Sequence, residues 1–413
     1  MSYKELILFK PHKKQLEIIE LLEQDDVYYV TVNAGRRFGK SMLALNWIVK
    51  QLVNNCHTRG LLVSVNHSQV KTLLYDLEGA FSDLGIIKQV NKSDKVVYFT
   101  NGSILKCFVA SNHDRIRGER VDYAVLDEFA MYDNQAWEAS IQPTLATSKR
   151  PKVLFISTPR GRGLWYNLFN LGFDVNSSWR NFTARSEDNP MVQSVWLNDM
   201  REQASNRIWR QEYLAEFIDD GGEVFEGLEH CLIPTYETNY SKLFIGIDIG
   251  IKNDYSVIYI QNEKLETIYY ERYLPGSIDR CVTWLWNILS KYDYHNYFID
   301  IETNRFDSVY TELRNRFKEI KVNPDRIISP TDLNHSEKNK NVEQLSVLIE
   351  QGKIKIINDM YLVSEMKSFT FTFSKSNNII YSAPQGLHDD GVMAILSSLR
   401  CYNLNSRAKL KLL

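Results

Sequence analysis

Residues 27–52 read VYYVTVNAGRRFGKSMLALNWIVKQL. An apolar, β-branched run is followed by a glycine- and arginine-bearing loop and then by apolar residues at helical spacing. A strand that feeds a helix needs a parallel partner strand to receive the crossover, so this stretch already commits the surrounding domain to an α/β layer structure. It also commits the loop to a chemistry. Backbone N–H groups of a loop ending Gly39-Lys40-Ser41, together with the helix N-terminus, point at an anion. Lys40 can neutralise the outer oxygens of a polyphosphate, and the Ser41 hydroxyl can bind Mg²⁺. Ala34 stands where such a loop usually opens with glycine, and it is small enough to be tolerated there.

The pattern around this loop repeats. LLVSV, YAVLDE and VLFIST are strand-length apolar runs, and helical spacing appears at 42–53, 68–83 and 163–171, which argues a mainly parallel sheet flanked by helices. VDYAVLDEFA is a buried strand ending in Asp127-Glu128. The first carboxylate can hold Mg²⁺ through water, and the second can orient or deprotonate an attacking water. A stretch of polar helices with aromatic and leucine residues on one face, about 162–220, suggests a small helical subdomain closing this domain. The chain has 413 residues, too many for one ordinary core. The acidic, aperiodic IDDGGEVFEG marks the break, which gives an N-terminal domain at 1–220, a linker at 221–240 and a second domain at 241–413.

The second domain carries its own acids. KLFIGIDIG puts Asp248 in an otherwise apolar strand, YFIDIETN carries Asp300 and Glu302 on one side by period two, and GLHDDGVMAILSSL opens a helix with Asp389 and Asp390. Carboxylates from two strands and a helix start repel one another unless a cation holds them, and paired Mg²⁺ or Mn²⁺ ions can activate water for phosphodiester cleavage. Asp254, in the turn after the first strand, is a lesser candidate. Three strands in succession (243–273) read as a meander, followed by helices at 278–291 and 306–319. The polar run NHSEKNKN at 334–341 reads as a solvated loop from which Lys338 and Lys340 can reach phosphate.

The net charge of −2 excludes a polybasic coat for nucleic acid, so any such contact is local. No apolar run approaches the roughly 20 residues that cross a bilayer. The N-terminus lacks a secretory pattern, and the five cysteines form no CxxC pair, which predicts a cytoplasmic protein with ordinary thiols.

AGRRFGKS, RIRGERVDYAVLDE, LFISTPRG, SEDNPMV, RQEYLAEF and the HDD before a helix together resemble the large subunit of tailed-phage terminases. The resemblance implies an N-terminal P-loop ATPase of the ASCE type, with a mainly parallel sheet and small helical subdomain, followed by an RNase H-like α/β nuclease domain. It implies ATP and Mg²⁺ as cofactors, with Mn²⁺ an option at the nuclease site. Gln15 would read the adenine, and Gly35, Arg36, Arg37, Gly39, Lys40, Ser41 and Asp127 would bind ATP, with Arg36 or its neighbour Arg37 at the γ-phosphate. Glu128 would be the catalytic carboxylate that orients or deprotonates the attacking water, and Ser157 and Thr158 would couple phosphate sensing to DNA grip. Arg117 would act as a finger into a neighbouring subunit, or else is an exposed arginine with no such role. Asp248, Glu302 and Asp389 would hold metal, with Asp390 replacing or joining Asp389. The implied partners are double-stranded DNA, a portal ring, a small terminase subunit and further copies of the chain in a ring on a procapsid, in the host cytoplasm and not in the mature virion. A DNA-repair fusion of helicase-like ATPase and resolvase is the alternative, although the motifs of a second motor domain are absent.

Overall fold

The computed structural model describes residues 9–219, 221–251, 254–302, 307–331, 334–374 and 379–407. The chain divides into two compact units, Met1–Asp220 with Phe373–Asn378, and Gly221–Thr372 with Ile379–Leu413.

In the first unit the elements run α1 (Lys13–Glu23), β1 (Tyr29–Ala34), α2 (Lys40–Asn54), β2 (Arg59–Ser64), α3 (His67–Phe81), β3 (Ile87–Asn91), β4 (Val96–Phe99), β5 (Ile104–Val109), β6 (Tyr123–Asp127), α4 (Gln142–Thr144), β7 (Lys152–Ser157), α5 (Leu164–Leu171), β8 (Trp179–Ala184), α6 (Ser194–Gln203) and α7 (Asn206–Ile208). The sheet order is β3-β4-β5-β2-β6-β7-β1-β8. All pairings from β5 to β8 are parallel, and β3 and β4 extend one edge antiparallel. Both faces of the central strands are covered, which explains their unbroken apolar runs. Val30, Val32, Leu154 and Ile156 pack with residues of α1 and α2 on one side; Val153, Phe155, Leu126, Trp137 and Trp165 form the core on the other.

One expectation for this unit is corrected. The 162–220 region is not purely helical, because Trp179–Ala184 joins the main sheet beside β1, where its half-buried side chains lack the apolar run that marks a central strand. The β3–β5 ribbon leaves a weak sequence signal, because its strands are short and β5 alternates buried with half-buried positions.

The second unit holds β9 (Leu232–Ile233), β10 (Leu243–Asp248), β11 (Ser256–Asn262), β12 (Thr267–Tyr273), α8 (Ile278–Leu289), β13 (Tyr297–Glu302), α9 (Asp307–Glu319), β14 (Ile328–Thr331), α10 (His335–Glu350), β15 (Ile356–Ile357), α11 (Met360–Ser368), β16 (Thr370–Phe373), β17 (Ile379–Ser382) and α12 (Asp390–Arg407). Its five-stranded sheet has the order β12-β11-β10-β13-β14, with the expected antiparallel meander joined to a parallel half. Odd positions of β10 (Leu243, Ile245, Ile247) pack with Val282 and Leu285 of α8 and Val309 and Leu313 of α9. Even positions face α12, where the Ser398 hydroxyl donates to Phe244 O at 2.8 Å and Arg400 Nη1 meets fully buried Asp300 at 2.6 Å.

Residues 221–240 are not a free linker. Phe225, Leu228 and Cys231 are fully buried, β9 pairs with β15, and Ser346 Oγ donates to Val224 O at 2.5 Å. The 334–341 run is not a loop either: it forms the start of α10. Asn334 caps it by accepting the Glu337 N–H at 3.0 Å, and Val342, Leu345 and Ile349 supply the buried stripe. Polar composition in the first turns hid a capping signal, Asn followed three residues later by Glu.

Gly246 fixes how close α12 sits. A Cβ there would lie 1.9 Å from Ala394 O and 2.3 Å from Ser398 N, both backbone atoms of α12. Gly246→Ala is therefore expected to push the helix off the sheet, at a cost of about 1–3 kcal/mol or more. Hydrogen exchange should show α12 amides losing protection; unchanged protection there would contradict the packing.

Candidate functional site

Parallel pairing sets the first site. Asn33 is in register with Ser157 and Asp127 with Ile156, so the C-terminal ends of β1, β7 and β6 lie side by side and bring the loop, Ser157-Thr158 and Asp127-Glu128 to one edge. Ligands bind at such strand ends in open α/β sheets. A cavity of about 1000 Å³ opens there, lined by Arg36, Arg37, Gly39, Lys40, Ser41, Glu128, Thr158 and Arg160 among others.

The loop is held in a turn that suits phosphate. Gly39 has φ 97° and starts α2, and a Cβ at Gly35 would lie 2.5 Å from Tyr213 O and 2.6 Å from Ser186 Oγ, so glycine is needed for the close approach. Lys40 is buried, donating to Ala34 O at 3.0 Å and Gly35 O at 3.4 Å, with Glu128 Oε1 3.9 Å away. The Ser41 hydroxyl lies 3.4 Å from Asp127 Oδ1. Burial, and then the Glu128 charge, push the Asp127 carboxyl up to about 7, against the opposing pull of Lys40. Glu128 has φ 55° and ψ 45°, a left-handed conformation that costs a non-glycine residue about 1–3 kcal/mol and marks a backbone held for function. Ser157 is fully buried; its Oγ accepts the Ala130 N–H at 3.2 Å and donates to Glu128 Oε2 at 3.5 Å.

Other expected residues are placed differently. Gln15 is buried, with Nε2 donating to Gly39 O at 3.2 Å and Oε1 accepting the His12 N–H at 3.1 Å. Its amide braces the loop with one of its two N–H donors and one oxygen lone pair. Arg117 is absent from the cavity lining; it donates from Nε to Ser140 Oγ at 3.3 Å and pairs with Asp114 at 3.1 Å, its side chain 55% exposed. Arg37 has φ 65°, and its carbonyl accepts from Asn189 Nδ2 at 2.7 Å. Sequence reasoning missed Arg160 and Glu212. Both lie inside the motifs STPRG and RQEYLAEF, whose local pattern does not show which side chain faces the cavity.

In the second unit, Asp254, His388 and Asp390 each offer a ligand atom within 4.8 Å of the others. His388 Nδ1 lies 3.2 Å from Asp254 Oδ1 and 3.6 Å from Asp390 Oδ2. Asp390 is buried, Oδ2 has no hydrogen-bond partner, and burial followed by the Asp254 and Glu365 charges raises its carboxyl to about 8. An orphaned buried carboxylate oxygen beside a second carboxylate and an imidazole is a donor set that fits a divalent cation. Of the two carboxylates expected at this helix start, Asp390 is in the cluster and Asp389 is not; Asp389 Oδ2 faces Lys338 Nζ at 3.7 Å. Successive residues at a helix start point in different directions, so only one of the pair can turn toward Asp254. Asp248 ends β10 on the α12 side, outside the cluster. Register Ile247↔Ile301 brings position 302 beside it, although the Glu302 side chain lies outside the described residues. Glu365, also buried, accepts the Gly391 N–H at 2.7 Å and so pins the α12 N-terminus that carries Asp390.

Residues 31–230 match the family described as "Terminase large subunit, T4likevirus-type, N-terminal". The chain is 26% identical over 316 residues to the terminase large subunit of Escherichia phage T5, covering 72% of this chain and 71% of that protein. It is 24% identical over 440 residues to the terminase large subunit of Thermus phage G20c, covering 95% and 87%. A large terminase from a thermophilic bacteriophage has a similar fold, with TM-score 0.57 at 13% identity over 96% of this chain and 99% of that one; the complex of that same protein with ATP-gamma-S aligns at TM-score 0.54 and 11% identity over 94% and 98%. Among the described residues no helix is long and apolar enough to cross a membrane.

Asp127 makes stability depend on pH in a defined direction. Between its unfolded value near 3.8 and its folded value of about 7, the folded protein keeps a proton that the unfolded chain has lost, so this residue's contribution falls as pH rises through that window. In chelator-containing buffer, wild-type stability relative to Asp127→Asn is expected to drop on the order of 1–4 kcal/mol between pH 4 and 7 and then level off. Urea titrations across this range test it; parallel profiles for the two proteins would refute it.

Proposed function

This chain belongs to the phage terminase large-subunit family, and from that premise we propose that its first unit hydrolyses ATP to drive duplex DNA into procapsids while its second unit is a metal-dependent endonuclease that cuts concatemeric DNA. The observation that carries this reading is the meeting of the loop, Glu128 and Thr158 around one cavity, with Asp127 beside Ser41 and Ser157 beside Glu128, while a separate carboxylate–histidine cluster stands in the other unit. The thermophilic-phage terminase that shares the fold binds ATP-gamma-S.

In the first unit, loop N–H groups and the start of α2 hold the phosphates, and Lys40 leaves the Ala34 and Gly35 carbonyls for the outer oxygens. Ser41 and Asp127 would hold Mg²⁺, which when bound would neutralise phosphate charge. Glu128 orients the attacking water and accepts its proton on a carboxylate oxygen, and its 3.5 Å contact carries the phosphate state to Ser157. Arg36 or Arg37 meets the γ-phosphate. Arg117, turned away from its own cavity and half exposed, serves the site of the next subunit in a ring. In the second unit, Asp390, Asp254 and His388 are the ligand set favoured by the geometry, with Asp248 and Glu302 completing it from the sheet and Asp389 set against Lys338. A divalent ion, Mg²⁺ or Mn²⁺, held by these residues would supply water activation and charge stabilisation at the leaving oxygen. The family further implies a portal ring and a small terminase subunit as partners, working in the host cytoplasm.

Two experiments test this. Lys40→Ala is expected to abolish ATP hydrolysis and leave Mn²⁺-dependent nicking of plasmid DNA, whereas Asp390→Ala and Asp248→Ala should do the reverse; variants that lose both activities together would rule out two independent sites. Purified Lys40→Ala and Arg117→Ala proteins, each inactive, should regain part of the ATPase activity when co-assembled, because mixed interfaces pair an intact pocket with an intact arginine. Such fingers contribute roughly 10³–10⁵ in rate, so a small fraction of complementing interfaces is measurable. Co-assembly with no recovered activity would place Arg117 outside the reaction of its neighbour.

A further inference from the structure

Lys338 stands where a lysine is poorly placed. It lies in the first turn of α10, at the end of a helix that favours anions, and its side chain is only 21% exposed. Its nearest counter-charge is Asp389 Oδ2 at 3.7 Å, too far for a hydrogen bond, and Nζ lies 5.7 Å from the centre of the Phe369 ring. Among the described residues none accepts a hydrogen bond from this ammonium, a group with three donors. The backbone that carries it is fixed on both sides. Lys338 N–H donates to Asn334 O at 3.0 Å, Asn339 Nδ2 donates to Ile379 O at 2.9 Å, and Gln344 and Asn403 exchange amide bonds at 3.1 and 2.8 Å that tie α10 to α12. The side chain is the part left to move. β10, β13 and β14 are parallel, with Ile247 beside Ile301 and Glu302 beside Thr331, so α10 starts at the sheet edge that carries positions 248 and 302. Asp389 is one residue from Asp390, whose Oδ2 is buried without a hydrogen bond. An ammonium beside carboxylates that suit a divalent cation competes with that cation, unless an anion arrives to take it.

We infer that Lys338 takes a phosphate of the DNA strand to be cut, and that until DNA arrives its ammonium holds Asp389 out of the metal-binding set. The inference rests on the nuclease reading above and deepens it. A lysine suits this task as a compact charge on a flexible stem, whose donors can follow a phosphate oxygen. In the DNA-free protein the ammonium offsets the Asp389 charge, which limits repulsion among Asp254, Asp389 and Asp390. When a phosphate draws Nζ away, the Asp389 carboxylate is released beside Asp390 and adds to the negative charge that attracts a cation. DNA and the divalent ion then favour each other's binding, and this coupling is reciprocal. The cutting site is thereby completed on DNA and not before.

The test reads binding by the full-length protein, apart from cleavage. In chelator, Lys338→Ala should weaken duplex DNA binding about three- to tenfold and lower the slope of log Kd against log salt by about 1, the loss of one phosphate contact. Lys338→Gln keeps the stem without the charge and should match it, and it serves should the alanine variant fail to fold; Lys338→Arg should retain most of the affinity. Mn²⁺ binding is followed by loss of the free-ion paramagnetic resonance signal, taken as the difference between each protein and its Asp390→Ala derivative. Wild-type protein should bind Mn²⁺ about five- to tenfold more tightly with duplex DNA than without it. In Lys338→Gln the DNA-free Mn²⁺ affinity should already be raised, and DNA should add little. In Asp389→Asn, DNA should leave Mn²⁺ affinity unchanged, while DNA binding in chelator tightens because Lys338 has lost its competing partner. The inference is overturned by wild-type DNA affinity in Lys338→Gln, by an equal loss in Lys340→Ala, which removes an exposed cation two residues along, or by wild-type coupling of DNA and Mn²⁺ in Lys338→Gln or Asp389→Asn. Wild-type protein that binds no more Mn²⁺ than Asp390→Ala would instead sink the nuclease reading itself.

Discussion

The parallel ladders that join β1 to β7 and β7 to β6 are the constraint on which the first unit's chemistry depends. They set three strand ends at one level, so that buried Asp127 and Ser157 stand beside the loop where the backbone leaves the sheet. Phosphate loop, acidic pair and Ser157 thereby become neighbours although more than a hundred residues separate the first from the last. A slip of one residue in either pairing would reverse every inward side chain and break both apolar layers at once, so the cores on the two faces of the sheet enforce the register that the site requires.

The second unit solves the same problem with a helix laid on a sheet. Gly246 lets the α12 backbone approach β10 closely, and Asp300 is neutralised by Arg400 from that helix, which leaves the helix start to deliver Asp390. Glu365 holds that start through Gly391 N–H, while Arg272, packed over the rings of Tyr255 and Tyr361, stands 3.9 Å from Glu365. A buried acid thus receives support on its far side from a cation whose own position is set by aromatic faces.

Both sites retain a carboxylate whose burial is unfavourable in the protein alone. Asp127 and Asp390 are pushed up to about 7 and about 8, each mainly by burial and secondly by another carboxylate close by. A fold selected only for stability would replace such groups, since burying a charge without a compensating partner costs several kcal/mol. Perturbed acids at strand and helix ends, next to a cavity or an imidazole, are where cation-dependent chemistry is expected.

Much of this was legible in the residues. Continuous apolar strands, helical periods and glycine at the loop dictate an α/β unit with a phosphate cradle, because those signals are local and their physics is local. The acids were legible as types: Asp127-Glu128 at a strand end and HDD before a helix needed no tertiary contact to be noticed. Tertiary structure alone decided which atoms meet. It turned Asp390 rather than Asp389 toward Asp254, set a Gln15 N–H on the loop backbone, folded 221–240 into the second unit and capped a helix where polar composition suggested a loop. It also placed Glu212 on Arg36 across 176 positions of chain. The reason is that a side chain's direction and partner depend on packing between segments distant in sequence, whereas the propensity to be strand, loop or helix is carried largely by neighbours along the chain.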